Sequence, residues 1–165
     1  MEPTENHRDE LRINIQALEL DISKLEEKIA TRELEKATVL AKMQTRLFLE
    51  RIFAPYIDGI CSAWGVTPEE GLRILIEENE TIDKIAKNNP KELKELLNQP
   101  EMKVIITMVA PLGSVSDDWV KDKIDMLLDI MKELRPELAT VIETPEGMEW
   151  FTQSLTGLKK TLFSY

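Results

Sequence analysis

Five carboxylates recur at Asp118, Asp122, Asp125, Asp129 and Glu133. On one continuous helix this spacing gathers them within about 80° of arc, opposite an apolar stripe. Like charges so placed destabilise an isolated helix by a few tenths of a kcal/mol per pair, so such a ridge calls for a counter-charge. A hard divalent cation would supply one, because it takes several carboxylate oxygens at once, and Asp118, Asp122, Asp125 and Asp129 are the candidate ligands. A basic protein surface would supply another. The plainest alternative is a solvated helix face. The chain carries a matching cationic ridge: Lys24, Lys28, Arg32 and Lys36 stand four apart, and Lys42 and Arg46 fall in the same arc of about 120°. That ridge is either a solvated face with local Glu–Lys pairs or a dock for an acidic partner surface, such as residues 118–133 of another subunit.

Other reactive side chains are few. His7 is the only histidine, so neither a His-containing di-iron bundle nor a His-dependent nucleophile triad can be assembled around a core. Cys61, the only cysteine, lies beside Ile60 and Trp64 on an apolar face and reads as a core side chain. No Gly-rich phosphate loop is present. Glu77-x-x-Glu80 resembles the first half of the E-x-x-E…E-x-x-D metal motif of all-α nucleotide pyrophosphohydrolases. That resemblance covers four residues and implies a carboxylate-metal-dependent hydrolase. The expected second half is missing, since Glu92-x-x-Glu95 ends in the wrong acid. A helix-turn-helix over Thr67–Asn88 would present Lys84 and Lys87, but no Arg, Gln or Asn in the first turn of its second helix, and its connection lacks Gly. No cofactor is expected.

Size and composition narrow the field further. A chain of 165 residues fits one domain, or one domain with an extension, and needs no disulfide or metal staple. One cysteine excludes an internal disulfide and any Cys-based zinc site. With 42% hydrophobic and 32% charged residues and only 6 Gly, the composition is globular and lacks the turn-rich character of an all-β chain. Residues 1–53 hold nine basic and eleven acidic side chains, a net −2, whereas residues 54–165 hold twelve and twenty, a net −8. An acidic body repels phosphate backbones, so nucleic acid is a poor partner. Val104–Leu112, the longest apolar stretch, is broken by Thr107 and too short to cross a bilayer. The polar, acidic start has no secretory character, so the expected compartment is the cytoplasm and no membrane association is expected. Glu and Lys are plentiful while Asn and Gln are sparse, a balance found in heat-adapted proteins.

The elements that must position these side chains are helices. From about Arg8 to Phe53 there is no Pro and no Gly. Leu11, Ile15, Leu18, Ile22, Leu25 and Ile29 alternate spacings of four and three, the pattern of a coiled-coil seam. Arg32 and Lys36 interrupt it, and Leu40, Met43 and Leu47 return to the same face because eleven residues make about three whole turns. Read as one helix, this segment is about 70 Å long, more than a body of this size can cover.

Beyond it, Pro55 predicts a fresh helix start, Gly65 a left-handed stop, and Thr67-Pro-Glu-Glu a capping box. A short helix follows over Thr81–Lys87, and Asn89-Pro90 and Gln99-Pro100 start two more. Glu101–Ala110 is apolar nearly all round and is predicted to be the buried central helix. Ser116 caps the next helix, whose stripe is Val120, Ile124, Leu127, Met131, Leu134, Leu138 and Val141, with a restart at Pro136. Thr144-Pro begins the last, with Phe151, Leu155, Leu158 and Leu162 on one face, and the tail Leu162-Phe163-Ser164-Tyr165 is apolar enough to dock. Trp119, to the side of its stripe, would mark a contact surface.

The expected architecture is therefore all-α: a long N-terminal amphipathic, coiled-coil-like helix (1–53) followed by a compact multi-helix bundle (54–165). The expected role is non-enzymatic, that of an assembly or adaptor protein. It would act as a homodimer, or with another helical protein, through Leu11, Ile15, Leu18, Ile22, Leu25, Ile29, Leu40, Met43 and Leu47. The alternatives are a DNA-associated regulator using the basic ridge and the carboxylate-dependent hydrolase.

Overall fold

The computed structural model describes residues 5–163, so Ser164 and Tyr165 of the apolar tail lie outside the described residues. All regular structure among the described residues is helical, with no strand, and the long N-terminal helix followed by packed shorter helices is the architecture the sequence predicts. Helix α1 (Glu5–Phe48) continues through a π-helical turn (Leu49–Phe53) into α2 (Ala54–Trp64). Then come α3 (Pro68–Glu77), α4 (Ile82–Asn88), α5 (Pro90–Leu97), α6 (Met102–Val109), a 3₁₀ turn (Ala110–Ser114), α7 (Asp117–Asp122), α8 (Ile124–Leu134), α9 (Pro136–Ile142) and α10 (Pro145–Phe163). Among the described residues no helix is long and apolar enough to cross a membrane.

The chain divides into two compact units at Ala41/Lys42. In the first, helix α1 is exposed at every described residue from Glu5 to Leu40. In the second, Phe48, Leu49, Ile52 and Phe53 are all buried in the core. Phe53 is the aromatic centre, with its ring 5.6 Å from Phe151 in an edge-on contact and 6.4 Å from Trp150. Pro55 does not start a fresh helix. Its missing N–H would leave a gap in an α-helical ladder, and the backbone absorbs it by a π turn, with Ala54 N–H donating to the Leu49 carbonyl.

The caps behave as their residue types demand. Thr67, Thr81 and Ser116 each accept a backbone N–H three residues on, from Glu70, Lys84 and Trp119. Gly65 closes α2 at φ 71°, and Asn79 makes the turn between α3 and α4 at φ 56°, taking the place of the glycine absent from that connection. Pro136 ends α8 at Arg135, which leaves the helical conformation (φ −143°, ψ 75°) and anchors α2 by a two-pronged contact to Asp58, 2.7 and 2.9 Å long.

Helix α6 is not the buried central helix. Met102 and Val109 are buried and Ile105 and Ile106 half-buried against the core, while Val104 is 65% and Met108 47% exposed. The centre is filled instead by α2 and α10, through Ile57, Ile60, Phe151 and Leu158. The residues α6 turns inward, 102, 105, 106 and 109, share one helical face, and Val104 and Met108 lie outside that face.

Helix α3 crosses α2 closely at Gly71, where a Cβ would run into the Cys61 sulfur. Gly71→Ala should lower stability by about 1–3 kcal/mol. Cys61→Ala in the same chain should recover part of that loss, so that a double-mutant cycle read by urea unfolding returns a clear coupling. Strict additivity of the two changes would refute the close approach.

Candidate assembly interface

The seam lies on a helix whose apolar side chains meet water. Leu11, Ile15, Leu18, Ile22, Leu25, Ile29, Leu40 and Met43 are between 49% and 62% exposed. All lie on one face, since the arc they occupy at 100° per residue is about 80°. Leu47, in phase with them, is instead half-buried against the core of the second unit. Sequence periodicity missed a second, sparser set. Ile13, Leu20 and Leu34 are also exposed and lie on the opposite side of the helix. Beside them Thr31 and Thr38 donate their hydroxyls to the carbonyls of Glu27 and Leu34, each at 2.9 Å, so their polar atoms are satisfied along that face. The signal for this set was available as the multiples of seven separating 13, 20 and 34.

The basic ridge is exposed throughout, at Lys24, Lys28, Arg32, Lys36, Lys42 and Arg46. The acidic ridge is not one helix face. The helix is interrupted at Lys123 (φ −102°, ψ 9°), which leaves Asp118 and Asp122 on α7 and Asp125, Asp129 and Glu133 on α8. The apolar stripe that runs beside them is buried on both sides of the break, at Val120 and at Leu127. Among the described residues no group of three His, Cys, Asp or Glu is placed to hold a metal ion. The two ridges do touch once within the second unit, where Arg46 forms an ion pair with Glu133 at 2.8 Å. This pair is exposed on both sides and contributes well under 1 kcal/mol.

The remaining sequence candidates separate. Glu77 ends α3 and is exposed, whereas Glu80 lies past the Asn79 turn, so the two do not share a helical face as a metal motif requires. The Glu80 carbonyl accepts the Trp150 indole N–H at 2.6 Å. In the second helix of the helix-turn-helix candidate, Lys84 is exposed and Lys87 is paired with Asp83 at 3.1 Å. Trp119 is half-buried beside Phe48, Val120 and Lys159, so it packs on its own core. No family model, no curated protein and no solved structure matches this chain.

A groove of about 510 Å³ lies between α2 and α5, lined by Tyr56, Gly59, Ser62, Glu92, Glu95 and Gln99 among others. The Tyr56 hydroxyl borders it, buried and without a protein hydrogen-bond partner. Burial, and secondarily the Glu92 carboxylate, pushes its pKa from 10.0 up to about 12. The raised value means that folding disfavours the phenolate, so stability is whole below pH 10 and falls as pH rises from 10 toward 12. Tyr56→Phe should remove that alkaline loss and leave stability at pH 7 unchanged or slightly higher, because no hydrogen bond is sacrificed. Urea midpoints at pH 7 and pH 11 for both chains test this, and a loss above 1 kcal/mol at pH 7 (of order one hydrogen bond) would refute it.

Proposed function

We propose that this chain is a non-catalytic assembly or adaptor protein, and that the N-terminal helix is its assembly device, pairing with a second copy of itself. The observation that supports this is the unbroken exposure of α1 from Glu5 to Leu40 together with eight apolar residues on one face. Covering a Leu or Ile side chain contributes about 1.5–3 kcal/mol. Helices of this length draw most of their stability in proteins from tertiary packing of an apolar face. A second identical seam is the cover that the a/d spacing of Leu11 to Ile29 fits. The candidate chemical groups fit a surface role better than turnover: Asp118, Asp122, Asp125 and Asp129 are spread over two exposed helix faces.

Light scattering on the full chain, with a subunit mass of 19.0 kDa, tests the assembly. The expected mass is twice that value, at low and at high salt. Leu18→Glu with Ile22→Glu should return the mass of one chain, because paired seams would bury like charges. All three Trp, at 64, 119 and 150, lie outside α1, so their fluorescence reports the second unit and should be unchanged in the double variant. A wild-type chain that stays monomeric at about 100 µM sinks the homodimer.

A further inference from the structure

The seam has a polarity in its residue types. Leucine occupies positions 11, 18 and 25, and isoleucine occupies 15, 22 and 29. Spacings of four from Leu to Ile and three from Ile to Leu make every isoleucine an a position and every leucine a d position. β-Branched side chains at a with leucine at d favour two parallel strands; the reverse assignment, or isoleucine at both, favours three or four. We propose that two copies of this chain pair through residues 11–36 as a parallel, in-register two-stranded coil, so that each seam residue meets its own counterpart. This rests on the homodimer proposed above and adds its orientation and register.

The charges on α1 fit the same arrangement at its interrupted end. All the residues concerned are exposed. In a parallel pair each a knob enters a hole edged by the partner's g residue, and each d knob a hole edged by its e residue. Lys36, at a, then lies beside Glu35 of the second copy, and Arg32, at d, beside Glu33. Lys28 also faces Glu33 across the flank. The two cations that interrupt the apolar pattern therefore find carboxylates next to them. Three contacts oppose the arrangement: Asp21 against Glu26, and Arg32 and Lys36 each against its own counterpart.

The antiparallel register that keeps all six apolar residues in contact sets Leu11 against Ile29 and Leu18 against Ile22. It gains Arg12 against Glu26, but places Glu19 against Glu19 and Asp21 against Asp21 at its centre and Arg32 against Arg8. Both pairings bring some like charges together, so the orientation rests on isoleucine at a with leucine at d, with Glu33 and Glu35 beside the cations of the parallel pair. The opposite stripe of Ile13, Leu20 and Leu34 is interrupted by Lys24 and Glu27 and does not extend the seam to a third strand.

Cysteine cross-linking of the full chain tests orientation apart from association. Cys61→Ala removes the only native thiol. Leu25→Cys in that background should form a disulfide-linked dimer nearly quantitatively under a glutathione redox buffer, because facing d positions meet disulfide geometry. Leu11→Cys should do the same. In the antiparallel register two copies of residue 25 are ten residues apart along the axis, about 15 Å, and cannot link.

Mass under reducing conditions is measured on the same samples. A reduced dimer whose Leu25→Cys chains do not link to each other, but do link to Ile15→Cys chains, overturns the parallel proposal and leaves the homodimer standing. A reduced monomer overturns both, and a species larger than two chains overturns the two-stranded seam. Asp21→Lys converts the repulsive flank contact with Glu26 into an attraction and should tighten the dimer about fivefold at low salt; a weaker or unchanged dimer counts against the parallel register.

Discussion

An apolar face along a helix, with water on it, is the constraint from which the rest of this molecule follows. Hydrophobic burial is the largest favourable contribution to folding, and side chains such as Leu18 and Ile22 contribute it only when covered. Within the second unit the comparable stripe is already closed, since Val120, Leu127, Met131 and Leu138 are all buried in its own core. That stripe is therefore filled by its own unit's packing. Assembly through α1 is the proposal that satisfies the constraint with a surface known to exist, namely the same seam on another copy.

The face of α1 carrying the seam also supplies its link to the body. Leu40, Met43 and Leu47 return to the phase of Leu11–Ile29, and at Leu47 that face begins to pack. Phe48, Leu49, Ile52 and Phe53 then enter the core in succession, and Phe53 meets Trp150 and Phe151 of α10. The π turn before Pro55 allows this helical backbone to continue to Trp64 where an α-helical ladder would have lost a bond. One helix thus passes from an exposed apolar seam to the centre of a hydrophobic core without a loop between them.

Local chemistry was the most legible part of the sequence. Thr67, Thr81 and Ser116 cap because a side-chain oxygen next to orphan N–H groups has one favourable arrangement, and Gly65 turns left-handed because only residues without a Cβ do so freely. The seam was legible because its period repeats over five turns. Features that depend on tertiary balance were not. Helix α6 packs through the face of Met102, Ile105, Ile106 and Val109, and its further apolar residues Val104 and Met108, which suggested burial all round, stay exposed. The acidic ridge was drawn on one ideal helix, and the interruption at Lys123 redistributed it because Val120 and Leu127 both pack inward. Asn79 in the left-handed region made a turn that counting glycines did not anticipate. The Tyr56 groove escaped altogether, since it is formed by residues of α2 and α5 that are far apart in sequence, such as Tyr56 and Glu92.

The cations that break the heptad have a physical role in the proposed assembly. Arg32 and Lys36 stand where the pattern calls for leucine and isoleucine, and such substitutions cost stability while fixing register. Sliding one strand by a heptad would set Arg32 against Leu25 and Lys36 against Ile29, burying ammonium and guanidinium groups beside hydrocarbon. In register, each cation faces its own counterpart but lies near Glu33 or Glu35 at the edge of the seam, where water and carboxylates reach it. The purely apolar segment from Leu11 to Ile29 would pair nearly as well shifted by seven residues, because its leucines and isoleucines repeat without variation. The positions that weaken the hydrophobic pattern are therefore the ones that make a single alignment of the two helices lower in energy than its neighbours.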